Sequence, residues 1–123
     1  MRIILLVEDN AVLRETLGTS LAASGFSVIA CNDGLSAIEQ ARQLVFDVLL
    51  VDFRMPGLNG LDVVKTVRER YPRVCIIGMS LEDRKNNFLA AGADAFLMKP
   101  PVGLGEVPDC DEGRFTHATS WPE

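Results

Sequence analysis

Four apolar runs in this chain each end in side chains able to carry chemistry. Ile3-Ile4-Leu5-Leu6-Val7 ends in Glu8-Asp9, and Val48-Leu49-Leu50-Val51 ends in Asp52. Val74-Cys75-Ile76-Ile77-Gly78-Met79 ends in Ser80, and Ala95-Phe96-Leu97-Met98 ends in Lys99-Pro100. If the runs lie side by side and leave the same edge, three carboxylates, a hydroxyl and an ammonium share one rim. Two like charges ~4 Å apart repel by roughly 4 kcal/mol at an effective dielectric near 20, so such a cluster needs a cation or a proton to persist. A hard divalent ion held by oxygen ligands fits that demand.

The elements that must position these groups follow from periodicity. Apolar runs without alternation read as strands buried on both faces, the habit of a parallel sheet. Leu13, Leu17 and Leu21 repeat every fourth position and make a first helix that Ser24-Gly25 ends. Ser27–Cys31 is a second strand, and Ala37, Ile38 and Ala41 line a second helix after the turn Asn32-Asp33-Gly34. Behind Asp52, the residues Pro56, Gly57, Asn59 and Gly60 form a tight loop, and Leu61, Val64 and Val67 recur at helical spacing until Tyr71-Pro72. Leu81-Glu82-Asp83 leads into a fourth helix that Gly92 stops. Strict βα alternation predicts an open, doubly wound, five-stranded parallel sheet of the flavodoxin-like order 2-1-3-4-5. Right-handed crossovers then bring the acidic ends of strands one and three together at one edge, where open α/β sheets bind ligands.

The 123 residues, 48% of them hydrophobic, are enough for one packed domain. A formal charge of −5 argues against a nucleic-acid surface, and no basic helix or aromatic-and-basic patch opposes that balance. No apolar run is long enough for a membrane span or a signal sequence, so a cytoplasmic location is expected. Cys31, Cys75 and Cys110 are odd in number and widely spaced; Cys31 and Cys75 fall in strand-like runs, where buried free thiols are the ordinary reading. With only His117 to join them, a zinc site is not favoured.

Taken singly, Asp52 reads as a turn or capping residue, Glu8-Asp9 as a solvated pair, Ser80 as an N-cap and Lys99 as a surface charge. Their arrival in order, each at the end of its own element, resembles the receiver domain of two-component response regulators over about residues 1–101. The residues that carry the likeness are Glu8-Asp9, Asp52 with Met55-Pro56-Gly57, Ser80 and Lys99-Pro100. The resemblance implies that Asp52 is the phosphoacceptor, taking a phosphoryl group from a sensor histidine kinase or phosphotransfer protein. It further implies Mg²⁺ held by Asp9, Asp52 and the backbone carbonyl of Arg54, with Glu8 acting through water. Lys99 and Ser80 would hold phosphoryl oxygens, Phe96 matches an aromatic switch position, and Lys99-Pro100 matches a cis peptide. By the same likeness the chain is not an enzyme, catalysing only its own phosphorylation and dephosphorylation, and its output is a change of protein contacts with a partner the sequence does not name.

Two stretches depart from the family. Only eleven residues separate Ser80 from Gly92, so helix four should be short. Residues 102–123 hold Gly103, Gly105, Pro108, Gly113 and Pro122 where the family has a fifth helix, so that helix is expected to be missing or irregular, with self-association covering the exposed face. A phosphorylation-independent interaction module of the same fold is an alternative. A Mg²⁺-dependent phosphohydrolase or a flavin carrier is a further one, but aspartyl phosphohydrolases need a second acid where Arg54 stands, and Glu8-Asp9 would repel a flavin phosphate.

Overall fold

The computed structural model describes residues 2–99. Five strands alternate with four helices in the order β1 (Ile3–Val7), α1 (Ala11–Ala23), β2 (Ser27–Cys31), α2 (Gly34–Gln43), β3 (Val48–Asp52), α3 (Gly60–Arg70), β4 (Cys75–Ser80), α4 (Lys85–Ala91) and β5 (Ala95–Met98). All strand pairs are parallel and the sheet order is β2-β1-β3-β4-β5, as the alternation predicts. Ser80 proves to be the last residue of β4 rather than the first beyond it.

Alternate residues of the unbroken apolar runs feed two cores, which is why these strands show no polar face. Leu5, Val7, Leu49, Val51, Ile76 and Phe96 pack toward Ala37, Ala41, Val63, Val64, Val67 and Phe88 of α2, α3 and α4. Ile4, Leu6, Val48, Leu50, Ile77 and Leu97 face the side that carries Leu17 and Leu21 of α1.

The N-termini of α1, α2 and α3 are set by short polar residues. Asn10 caps α1 by accepting the Leu13 N–H, Asp33 caps α2, and Asn59 with Asp62 forms a capping box on α3. Helix α4 has seven residues, as short as the spacing implies, and ends at Gly92 with φ 117, a conformation a side chain would strain. Gly60 opens α3 directly behind the site strand, where a Cβ would collide with the Asp52 carbonyl oxygen, so the loop after Asp52 closes tightly only with glycine there.

Cys31 is a buried free thiol, and burial pushes its pKa up. Cys75 is equally buried but is disulfide-bonded, so the reading of two free thiols holds for Cys31 alone; residue spacing carries no information on pairing. The expectations for the Lys99-Pro100 peptide, the fifth helix, the 102–123 tail and its self-association lie outside the described residues. Among the described residues, no helix is long and apolar enough to cross a membrane.

Candidate functional site

The register builds the site. β1 pairs with β3 up to Val7↔Val51, so Glu8 and Asp52 leave neighbouring strands side by side. β3 pairs with β4 through Asp52↔Met79, and β4 with β5 through Ser80↔Met98. Two backbone bonds extend these ladders past the strands, Phe53 N–H to the Met79 carbonyl at 3.0 Å and Lys99 N–H to the Ser80 carbonyl at 2.8 Å. The ladder hydrogen bonds therefore continue onto the rim where the chemistry sits.

Glu8, Asp9, Asp52, Arg54, Ser80 and Lys99 all line one cavity of about 270 Å³. One carboxylate oxygen from each of Glu8, Asp9 and Asp52 lies within 4.8 Å of the others. Lys99 enters from β5 and places Nζ 2.7 Å from Glu8 Oε1 and 3.1 Å from Asp52 Oδ1. Glu8 Oε2 accepts the Asn10 N–H at 3.1 Å, so both oxygens of Glu8 are engaged within the protein. Ser80 Oγ accepts the Glu82 N–H at 3.2 Å.

Glu8, Asp52 and Ser80 are the buried polar residues among those described, at 0%, 4% and 2% exposure, while Asp9 is exposed. Burial is the main reason the Glu8 carboxyl is pushed above its ordinary value, with the Asp52 charge adding to it against the hydrogen bonds from Lys99 and Asn10. Asp52 is raised for the same reason, with Asp9 adding and Lys99 opposing. Burial works against the Lys99 ammonium, but its hydrogen bond to Glu8 and the charges of Asp52 and Glu8 outweigh that and raise its pKa. Three carboxylates thus face one ammonium. The all-oxygen donor set and the uncompensated charge fit a hard divalent cation.

Phe96 does not line the cavity. It is 1% exposed, with its ring 5.7 Å from that of Phe88 in the core under α4. Arg54 turns its guanidinium outward to pair with Glu82 at 2.6 Å, and Arg84 shares Glu82 at 3.3 Å while covering the Phe53 ring at 3.8 Å. The hydrogen bond from Arg54, then its charge, lowers the Glu82 pKa. A cation therefore stands where an aspartyl phosphohydrolase would need its second acid.

Two contributors escaped the reading of the sequence. Asn10 lines the cavity and joins α1 to Glu8, and its signal was present, an N-capping residue directly before a periodic run. Arg14 donates to the backbone carbonyls of Glu8 and Asp9, and no sequence pattern marks it.

Comparison with known proteins agrees with this geometry. Residues 4–104 match the model of the response regulator receiver domain. The chain is 37% identical over 100 residues to the response regulator MprA of Mycobacterium leprae, covering 79% of this chain and 44% of that protein. It spans less than half the length of the first curated relatives it matches. Among solved structures, the chemotaxis response regulator CheY4 of Vibrio cholerae superposes with a TM-score of 0.77 at 31% identity, over 81% of this chain and 88% of that one. The response regulator TrrA of Thermotoga maritima, solved in complex with Mg²⁺-BeF, gives 0.76 at 28% identity, over 80% and 87%. With the sheet order, the acidic rim and these matches in agreement, the chain belongs to the response regulator receiver domain family.

Proposed function

We propose that Asp52 accepts a phosphoryl group from the phosphohistidine of a sensor histidine kinase or phosphotransfer protein, and that the modified site changes the chain's contacts with a downstream protein in the cytoplasm. The observation that carries this reading is the buried Asp52 carboxylate, 3.1 Å from Lys99 and grouped with Glu8 and Asp9 on one open cavity. An Asp52 oxygen forms the new O–P bond as the donor's N–P bond breaks, and the electron pair of that bond returns to the imidazole nitrogen. Lys99 already stands beside the attacking carboxylate and pairs with a phosphoryl oxygen as charge moves onto it. The Ser80 hydroxyl donates to another.

Asp9, Asp52 and the Arg54 backbone carbonyl would hold Mg²⁺, with Glu8 acting through water because its own oxygens are taken by Lys99 and Asn10. The bound ion supplies charge neutralisation for the phosphoryl oxygens. Phe96, packed on Phe88, would report the state of the site to the α4 face. The chain would catalyse only its own phosphorylation and dephosphorylation, acting on no separate metabolite.

The test is phosphorylation by acetyl phosphate across a Mg²⁺ titration. Wild type should take up one phosphoryl group, and none once a chelator removes the ion. Asp9→Asn should require at least about tenfold more Mg²⁺, the loss usual for disturbing a metal site. An unchanged Mg²⁺ dependence in Asp9→Asn would contradict the assignment.

A further inference from the structure

Asp9 is exposed, and its carboxylate has no hydrogen-bond or ion-pair partner among the described residues. Its place beside Glu8 and Asp52 is therefore set by the backbone that carries it. That backbone is held on three sides. The Glu8 N–H bonds the Cys31 carbonyl at 3.1 Å, continuing the β1–β2 ladder. Asn10 caps α1 through its side chain and bonds Glu8 Oε2 through its own N–H. Between these anchors, one guanidinium nitrogen of half-buried Arg14 donates to the carbonyl oxygens of Glu8 at 2.9 Å and Asp9 at 3.3 Å.

Resting on the function proposed above, we infer that Arg14 is a positioning residue for the cation site, clamping the Glu8-Asp9 turn so that the otherwise unheld Asp9 carboxylate meets Asp52. The clamp comes from the first turn of α1, whose Arg14 N–H bonds the Asn10 carbonyl at 2.8 Å, so helix and acidic turn are fixed as one unit. Arg14 does not line the acidic cavity itself.

The sign of the effect separates this role from the alternative. A guanidinium near a dication site repels the ion, so a spectator Arg14 would weaken Mg²⁺ binding, and its removal would tighten it. A clamp does the reverse. Mg²⁺ itself is the probe, its affinity followed by calorimetry and by amide shifts of Asp9 and Asp52 in wild type, Arg14→Gln and Arg14→Lys. Thermal unfolding in chelator checks that each variant is folded.

Arg14→Gln should bind Mg²⁺ about tenfold more weakly despite losing a positive charge, and Arg14→Lys should fall between it and wild type. If Arg14→Gln does not fold, Arg14→Lys carries the test, because it keeps the charge without the planar fork. Unchanged or tighter binding in either folded variant overturns the clamp while leaving the phosphoacceptor reading intact. Absence of Mg²⁺ binding by wild type overturns both.

Discussion

Replacing Lys99 by methionine is expected to destabilise the Mg²⁺-free protein by about 3–5 kcal/mol at neutral pH, the cost of stripping a buried ion pair of one partner. The ammonium bridges two carboxylates that are 0% and 4% exposed, so its loss leaves both buried without a cation. Their pKa values already lie above the ordinary 4.5 and 3.8, chiefly through burial, and rise further in the variant. A carboxyl whose folded pKa is raised binds more protons folded than unfolded between the two values, so stability falls as pH rises through that window. The deficit of the variant should thus be full above the raised folded values and shrink as pH falls toward the unfolded ones near 4. Lys99 itself behaves oppositely, its contribution present below the ordinary 10.5 and lost only as pH rises through its raised folded value. Urea unfolding at several pH values checks the pattern, and saturating Mg²⁺ should recover part of the loss. A deficit independent of both pH and Mg²⁺ would mean that Lys99 acts through packing alone.

Truncating Phe88 to alanine is expected to cost about 3–5 kcal/mol, the range for emptying a buried aromatic position. Helix α4 has only seven residues and no side-chain cap at Arg84, so packing must hold it. Phe88 is its buried residue, 0% exposed, and its ring lies 5.7 Å from Phe96 and 6.3 Å from Phe53, the residue after Asp52. Gly78 of β4 makes the room, since a Cβ there would collide with the Phe88 ring. Gly78→Ala alone should therefore cost about 1–3 kcal/mol by overpacking. The double variant should be less damaging than the sum, because the added methyl enters the space the ring has left. Strict additivity in equilibrium unfolding would show that the two positions do not share that space.

The parts of the fold most legible in the sequence were those dictated by burial on both faces. Ile3–Val7 and Ala95–Met98 form strands at the expected bounds, because unbroken apolar runs between helical patterns leave little choice; Ser27–Cys31 also keeps its expected bounds, though as a mostly half-buried edge strand. Glu8, Asp9, Asp52, Ser80 and Lys99 were legible because each terminates such a run, and parallel pairing brings all five to one rim. Contacts between side chains distant in sequence were not. Nothing local tells that Lys99 spans Glu8 and Asp52, or that the Arg54 guanidinium pairs with Glu82. The fit of Phe88 over Gly78 is hidden for the same reason, since a seven-residue helix is too short to declare its buried face by periodicity. Arg14 escaped because its partners are backbone carbonyls, which any residue provides.

The central claim is that Asp52 itself carries the phosphoryl group, and reductive trapping tests it most directly. Borohydride converts an acyl phosphate to an alcohol, so a phosphorylated aspartate is read as homoserine in a peptide map. After treatment with acetyl phosphate and Mg²⁺, homoserine is expected at position 52 alone, and Asp52→Asn should yield none anywhere in the chain. Homoserine at position 9, or equal phosphoryl uptake by Asp52→Asn, would contradict the account.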